Sequence, residues 1–245
     1  MSVEFVNVGK IVGRGKYAHT LFDDLNFRVE NGTRIAILGL PKSGKSTLLR
    51  LICGTDHADS GSIQRSSSVS WPIPLGDFLV SFSTVAANIK FIMRLYGLDS
   101  DQTVRAIAEL VEISEFLNTR LGDCPRHVKQ RLAFALGVGL GFDICLFDQR
   151  VSAVDKEFKE KSINIVKSLS PDKAIVVATS NPKEVAEVCD TVFVLESGKL
   201  TPFSDIKDAI EHLKALMGMN EDNEPDATDA GAEPVDEEFV LEIGI

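Results

Sequence analysis

The stretch "RIAILGLPKSGKSTLLRLICG", residues 34–54, decides the fold. Arg34 to Leu38, with Ile35 to Leu38 a short, continuous apolar run, has the pattern of a strand buried on both faces. It enters a loop in which Gly39, four residues, Gly44, Lys45 and Ser46 match the phosphate-loop spacing. An apolar helix start, Thr47-Leu48-Leu49, follows. Each residue type has a physical reason. The glycines let the backbone curl so that successive N–H groups point inward at phosphate oxygens. The helix adds its positive dipole end. Lys45 neutralises the β and γ phosphates, and the Ser46 hydroxyl binds Mg²⁺. The segment Gly39, Leu40, Pro41, Lys42, Ser43, Gly44, Lys45, Ser46 and Thr47 is therefore the expected nucleotide loop.

About a hundred residues later a second apolar run, Ile144 to Phe147, delivers Asp148 to its carboxyl end, where a second Mg²⁺ contact belongs. The next residue is Gln149. An enzyme that splits a triphosphate wants a carboxylate there, and this chain has an amide.

The surrounding pattern is alternating α/β. "VEFVNV" (3–8) and "LNFRVE" (25–30) alternate as half-buried antiparallel strands do, and Asn31-Gly32 is a turn. "SSSVSW" (66–71) is a further strand, stopped by Pro72 and Pro74. Thr84 to Tyr96 places Val85, Ile89, Ile92, Met93 and Tyr96 on one helical face, and 101–111 repeats the pattern after an Asp/Ser start. Strand 143–148, helix 155–169, strand 174–179, helix 182–188, strand 191–196 and the turn Ser197-Gly198 follow, then a last helix, 204–216. Strands alternating with helices predict a parallel sheet covered on both faces. Residues 86 to about 135 form a helical insert.

Of 245 residues, 44 % are apolar and 25 % charged, an ordinary globular balance. The formal charge of −10 is concentrated at one end: residues 219–245 hold ten acidic residues and no Lys or Arg, leaving 26 acidic against 26 basic residues in the body. A neutral body gives no electrostatic case for nucleic acid. The tail is expected to be disordered, with the more apolar "EEFVLEIGI" at its end as a candidate docking motif. Cys53, Cys124, Cys145 and Cys189 form no CxxC pair, so neither a zinc site nor a disulfide framework is signalled; this fits a reducing cytoplasm. "MSVEFVNVGK" lacks the basic start and apolar core of a signal peptide. The longest apolar run, 132–147, is too short for a bilayer span and contains Asp143. Any work at a membrane is expected to go through a partner, without insertion. His57 and His212 are surface residues with no metal-spacing partners. Trp71 is a packed strand residue.

With these residues in hand, the chain resembles the ATP-binding subunits of ABC transporters, and more narrowly the ATPases of bacterial capsule-polysaccharide export. The likeness runs over most of residues 1–203. "GLPKSGKSTLLRLICG" resembles the family's phosphate loop, "DSGSI" its short turn before a strand, "VSAVD" (151–155) its dimer-contact loop and "EVCDTVFVLESGKL" (187–200) its final strand pair. "SVSWP" (68–72) and "NIKFIMRLYG" (88–97) resemble the capsule-export branch. The resemblance implies a P-loop NTPase fold of the ABC ATPase type over 1–218, with an N-terminal antiparallel β subdomain, a helical subdomain and an acidic tail at 219–245. It implies ATP and Mg²⁺ as cofactors, and Tyr17 stacking on adenine, with His19 or Thr20 near the same family position. Its partners would be an ABC permease and a second ATPase, as homodimer or heterodimer, at the cytoplasmic face of the inner membrane.

Four parts depart from the family pattern. Gln149 replaces the catalytic glutamate and Ser180 the switch histidine. Arg126 and His127 in "CPRHVKQRL" replace the small residues of the signature, although Pro125 suits a first helical turn. Val80 stands where the permease-coupling glutamine belongs, within "LGDFLVSF" (75–82), which either exposes apolar side chains to a permease or lies buried under the insert. The parts that bind ATP are kept and those that hydrolyse it are altered. The expectation is an ATP-binding, hydrolysis-poor export subunit; the alternatives are a non-catalytic regulatory or scaffold subunit paired with an intact ATPase, and, disfavoured by the motif order, a P-loop kinase.

Overall fold

A computed structural model describes residues 2–73, 78–98, 100–149, 157–182 and 185–221. Two sheets carry the chain. The first is antiparallel, order β2-β1-β4, from β1 (Ser2–Val12), β2 (His19–Glu30) and β4 (Ser60–Arg65). The second has the order β5-β6-β7-β3-β8-β9, from β3 (Arg34–Leu38), β5 (Val69–Ile73), β6 (Ile144–Asp148), β7 (Ala174–Thr179), β8 (Thr191–Glu196) and β9 (Lys199–Phe203). Its first five strands are parallel and β9 returns antiparallel to β8.

The near-continuous apolar runs of β3, β6 and β7 are explained by cover on both faces. Ile35, Ile37, Ile144, Leu146 and Val176 face helix α1 (Lys45–Cys53) and the antiparallel sheet, with Leu48, Leu51, Phe5 and Phe22 in the same cluster. Ala36, Leu38, Cys145, Phe147, Ile175 and Val177 face the other way, towards the helices. α1 thus lies between the sheets. Leu48, Leu49, Leu51 and Ile52 are fully buried, each worth roughly 1.5–3 kcal/mol relative to exposure. Its end is capped by Arg65, whose Nε donates to Ile52 O at 3.0 Å and whose Nη2 donates to Leu51 O.

The helical insert comprises α2 (Val85–Leu95), α3 (Asp101–Leu110) and α4 (Arg126–Gly139). Thr84 and Ser100 cap α2 and α3, accepting from Ala87 N and Thr103 N. The insert is tied to α5 (Lys159–Lys167) through Glu112, which takes Lys161 Nζ at 2.6 Å and Arg131 Nη1 at 3.4 Å. α6 (Ile206–Glu221) packs on β8 and β9.

Several boundaries differ from expectation. β4 was not anticipated, because "SGSIQR" has one apolar residue. The strand expected at 66–71 starts at Val69 and runs through Pro72 to Ile73. The proline is tolerated because β5 is an edge strand with a register shift between Val69 and Pro72. The Ser70 hydroxyl accepts from Leu146 N at 2.9 Å there. β2 begins at His19, well before Leu25. Tyr96 ends α2 at 47 % exposure instead of joining the buried face. Pro125 is the N-cap of α4, one position before the first turn. α5 spans less than 155–169, of which 155–156 lie outside the described residues. The helix expected at 182–188 is a turn over 185–188, where Val188 N donates to Val185 O at 3.0 Å; 183–184 lie outside the described residues. α6 continues past Leu216 to Glu221, and 222–245, most of the tail, lie outside the described residues.

Candidate nucleotide site

Parallel strands put their carboxyl ends on one edge of a sheet, where ligands of such folds bind. β3, β7 and β6 are adjacent, with Leu38 opposite Thr179 and Asp148 opposite Ala178. Leu38, which leads into the phosphate loop, and Asp148 are therefore two strand spacings apart, roughly 10 Å.

The loop's glycines are required by geometry. Gly44, the N-cap of α1, has φ 102°, and a Cβ there would meet the Leu21 side chain at 3.0 Å. A Cβ on Gly39 would meet Leu195 O and Ser43 Oγ, both at 2.7 Å. Lys45 is 3 % exposed. Its Nζ donates to Gly39 O at 2.9 Å, Leu40 O at 2.7 Å and Ser43 Oγ at 3.4 Å, all within its own loop. Burial holds the ammonium below the usual lysine range, partly offset by the negative charge of Asp148.

A cavity of about 520 Å³ opens beside the loop, lined by Val12, His19, Leu21, Lys42, Gly44, Lys45, Ser46, Thr47, Arg50 and Gln149. Its size suits a nucleotide. Asp148 Oδ1 is buried and accepts no hydrogen bond among the described residues. A buried carboxylate oxygen without a donor is costly unless a ligand answers it, and oxygen donors such as Asp148 and Ser46 suit a hard cation such as Mg²⁺. The donor set fits.

Gln149 is exposed on the cavity wall with φ 73°, its N–H donating to Ala178 O at 2.7 Å. Ser180 follows β7 half-buried and is not part of that wall. Tyr17 is 73 % exposed, beside Lys16 Nζ at 5.2 Å from its ring centre, and does not line the cavity; His19 does. The extended chain after the 3₁₀ turn at 15–17 brings His19 round instead. Arg50, Leu21 and Val12 were not anticipated. For Arg50 the signal was present, three residues after Thr47 on the same helix face.

The signature position lies elsewhere. Arg126 and His127 are exposed at the start of α4, His127 with its ring edge towards Phe116 at 6.5 Å. Arg126 lines a separate groove with Leu79, Ser81, Leu121, Lys129 and Gln130. Val80 is held by Asn88, which is 3 % exposed: Val80 N donates to Asn88 Oδ1 at 2.7 Å, and Asn88 Nδ2 donates to Val80 O and Thr84 O, both at 3.0 Å. Around this loop Phe78 and Leu79 pack against the core, whereas Phe82 is 82 % exposed; 75–77 and the dimer-contact loop 151–155 lie outside the described residues. Trp71 packs on Phe78 and Phe142, ring centres at 4.5 and 5.6 Å. Among the described residues no group of three metal-binding side chains occurs and no helix is long and apolar enough to cross a membrane.

The model of the ABC transporter family matches residues 22–152. The ATP-binding protein BexA of Haemophilus influenzae is 34 % identical over 79 % of this chain and 89 % of its own. The capsule polysaccharide export ATP-binding protein CtrD of Neisseria meningitidis serogroup B is 32 % identical over 88 % and 99 %. Among solved structures, the ATP-binding cassette MJ0796, dimeric and bound to ADP and phosphate, superposes with a TM-score of 0.69 at 22 % identity, covering 81 % of this chain and 96 % of that one.

Proposed function

The chain belongs to the ABC transporter family, and from that premise we propose that it is the ATP-binding subunit of an exporter of capsular or related polysaccharide, with weak ATP hydrolysis. The observation that carries ATP binding is the pairing of a curled phosphate loop around Lys45 with the donorless carboxylate oxygen of Asp148. The capsule-export relatives support the cargo class.

In this reading the loop amides and the α1 N-terminus cradle the phosphates, and Lys45 leaves Gly39 O and Leu40 O to meet them. Ser46 and Asp148 would hold Mg²⁺, which would supply positive charge against the β and γ phosphates. His19, Val12 and Leu21 receive the base side. Gln149 orients a water but accepts no proton from it, a handicap of about 10²–10⁴-fold. Ser180 offers at most a neutral hydrogen bond. Arg126 and His127 stand apart from this cavity and would face the nucleotide of a second ATPase subunit, where His127 crowds the γ-phosphate. The chain works peripherally at the cytoplasmic face of the inner membrane, with exposed Phe82 and Phe91 towards its permease.

Gln149 on the cavity wall favours a second reading, a non-catalytic regulatory subunit that pairs with an intact ATPase. Calorimetry of the purified chain with MgATP, with Lys45→Ala as control, tests the binding; turnover of tens per second would refute the hydrolysis-poor assignment. Co-purification with a second, intact ATPase would select the regulatory role, and export lost on deletion with no second ATPase present would select transport.

A further inference from the structure

Arg50 stands one helical turn beyond the phosphate loop. Its Nη2 donates to Thr47 Oγ1 at 3.0 Å, and both side chains line the nucleotide cavity with Lys45 and Ser46. Thr47 is 8 % exposed. A threonine hydroxyl has one hydrogen to give and lone pairs with which to accept. The guanidinium occupies the accepting side. A helical threonine usually spends its hydrogen on a carbonyl three or four residues back. Among the described residues Thr47 Oγ1 donates to none.

Two of the cavity's cations, Lys45 and Arg50, differ in their counter-charges. Lys45 feels Asp148 at the metal-binding end. Arg50 acts on Asp56, beyond the opposite end of α1, and Asp56 is already paired with Lys10 at 2.8 Å. Among the described residues no carboxylate lies within ion-pair distance of Arg50, so its charge is available to a ligand. We propose that Arg50 is a positioning residue for the polyphosphate: it fixes the Thr47 hydroxyl as a donor into the cavity and adds positive charge that needs no metal. It serves the part of the phosphate chain remote from Asp148. This rests on the nucleotide binding proposed above.

The test is calorimetric titration of the full chain with ATP, ADP and adenosine, in MgCl₂ and in EDTA. The variants are Arg50→Lys, Arg50→Gln, Thr47→Val and the Arg50→Gln/Thr47→Val double, each checked for an unchanged thermal midpoint. Arg50→Gln is expected to weaken ATP and ADP about tenfold, the scale of one charge-assisted hydrogen bond, by the same factor with and without metal. Adenosine affinity stays unchanged, and Arg50→Lys, which keeps the charge and should fold even where Gln does not, recovers most of the loss. The double variant binds no worse than the weaker single one. Unchanged ATP affinity in Arg50→Gln, additive losses in the double, or a loss confined to MgCl₂ overturns the proposal. An unaltered chain that takes up no ATP in either buffer sinks the nucleotide reading itself, and this assignment with it.

Discussion

Gln149 N–H donates to Ala178 O at 2.7 Å, which turns the residue after Asp148 into the left-handed region and sets its side chain on the cavity wall. The backbone contact is independent of the side chain, so Gln149→Glu places a carboxylate at the same spot without rebuilding the strand end. ATP turnover by the purified chain should rise, by up to about 10²-fold where base strength limits the rate. Phosphate release measures it; a rate no higher than that of the unaltered chain would locate the block at Ser180 or at the partner's site.

Asn88 closes four backbone contacts around Val80, Ser83 and Thr84 from a buried position. Asn88→Ala strands those carbonyls and should destabilise the helical insert by about 1–3 kcal/mol. Urea unfolding reads this. ATP affinity, set on the far side of the sheet, should not move.

Ser68 N–H and Ser68 Oγ–H both donate to Asp143 Oδ2 at 2.8 Å, at the start of the strand that ends in Asp148. The backbone donor first, then the hydroxyl, holds the Asp143 carboxyl below its ordinary value. The native state thus binds the proton less readily than the unfolded one. The contribution is fully present above about pH 4 and is lost as pH falls through the lowered value. Asp143→Asn should flatten this part of the acid limb in denaturation curves taken from about pH 5 downwards; parallel curves would contradict the assignment.

Burial lifts the Cys145 thiol to about 11 and, with help from Asp190, the Cys189 thiol to about 12; Cys124 is also raised by burial. Cys53 sits half-buried at the end of α1, its Sγ 3.2 Å from Thr55 Oγ1. A maleimide at about pH 8 should therefore modify one cysteine of the folded protein, Cys53, and all four in denaturant. Peptide mapping decides it.

The central sheet was legible because β3, β6, β7 and β8 are unbroken apolar runs, each ending in a motif residue or a turn. β4 was not, since "SGSIQR" is held by pairing with β1 and carries almost no apolar signal. Pro72 misled because a proline ends most strands; only its edge position and the Ser70 contact admit it here. In the site, Gly39 to Thr47, Asp148 and Gln149 follow from spacing along the chain. Arg50 could have been read from its helical spacing to Thr47, but Leu21 depends on the neighbouring sheet, and His19 rather than Tyr17 reaches the cavity because of a local turn. Those are facts of three-dimensional approach, which a linear pattern does not carry.

The Lys45 ammonium clasps two carbonyls and a hydroxyl of its own loop, so any ligand competes with contacts the loop itself supplies. A guest must offer anionic oxygens from more than one phosphoryl group to draw the lysine away. Lone sulfate or orthophosphate should leave it in place, and only a ligand of several linked phosphoryl groups should dislodge it. The loop therefore discriminates by valence before any base is read.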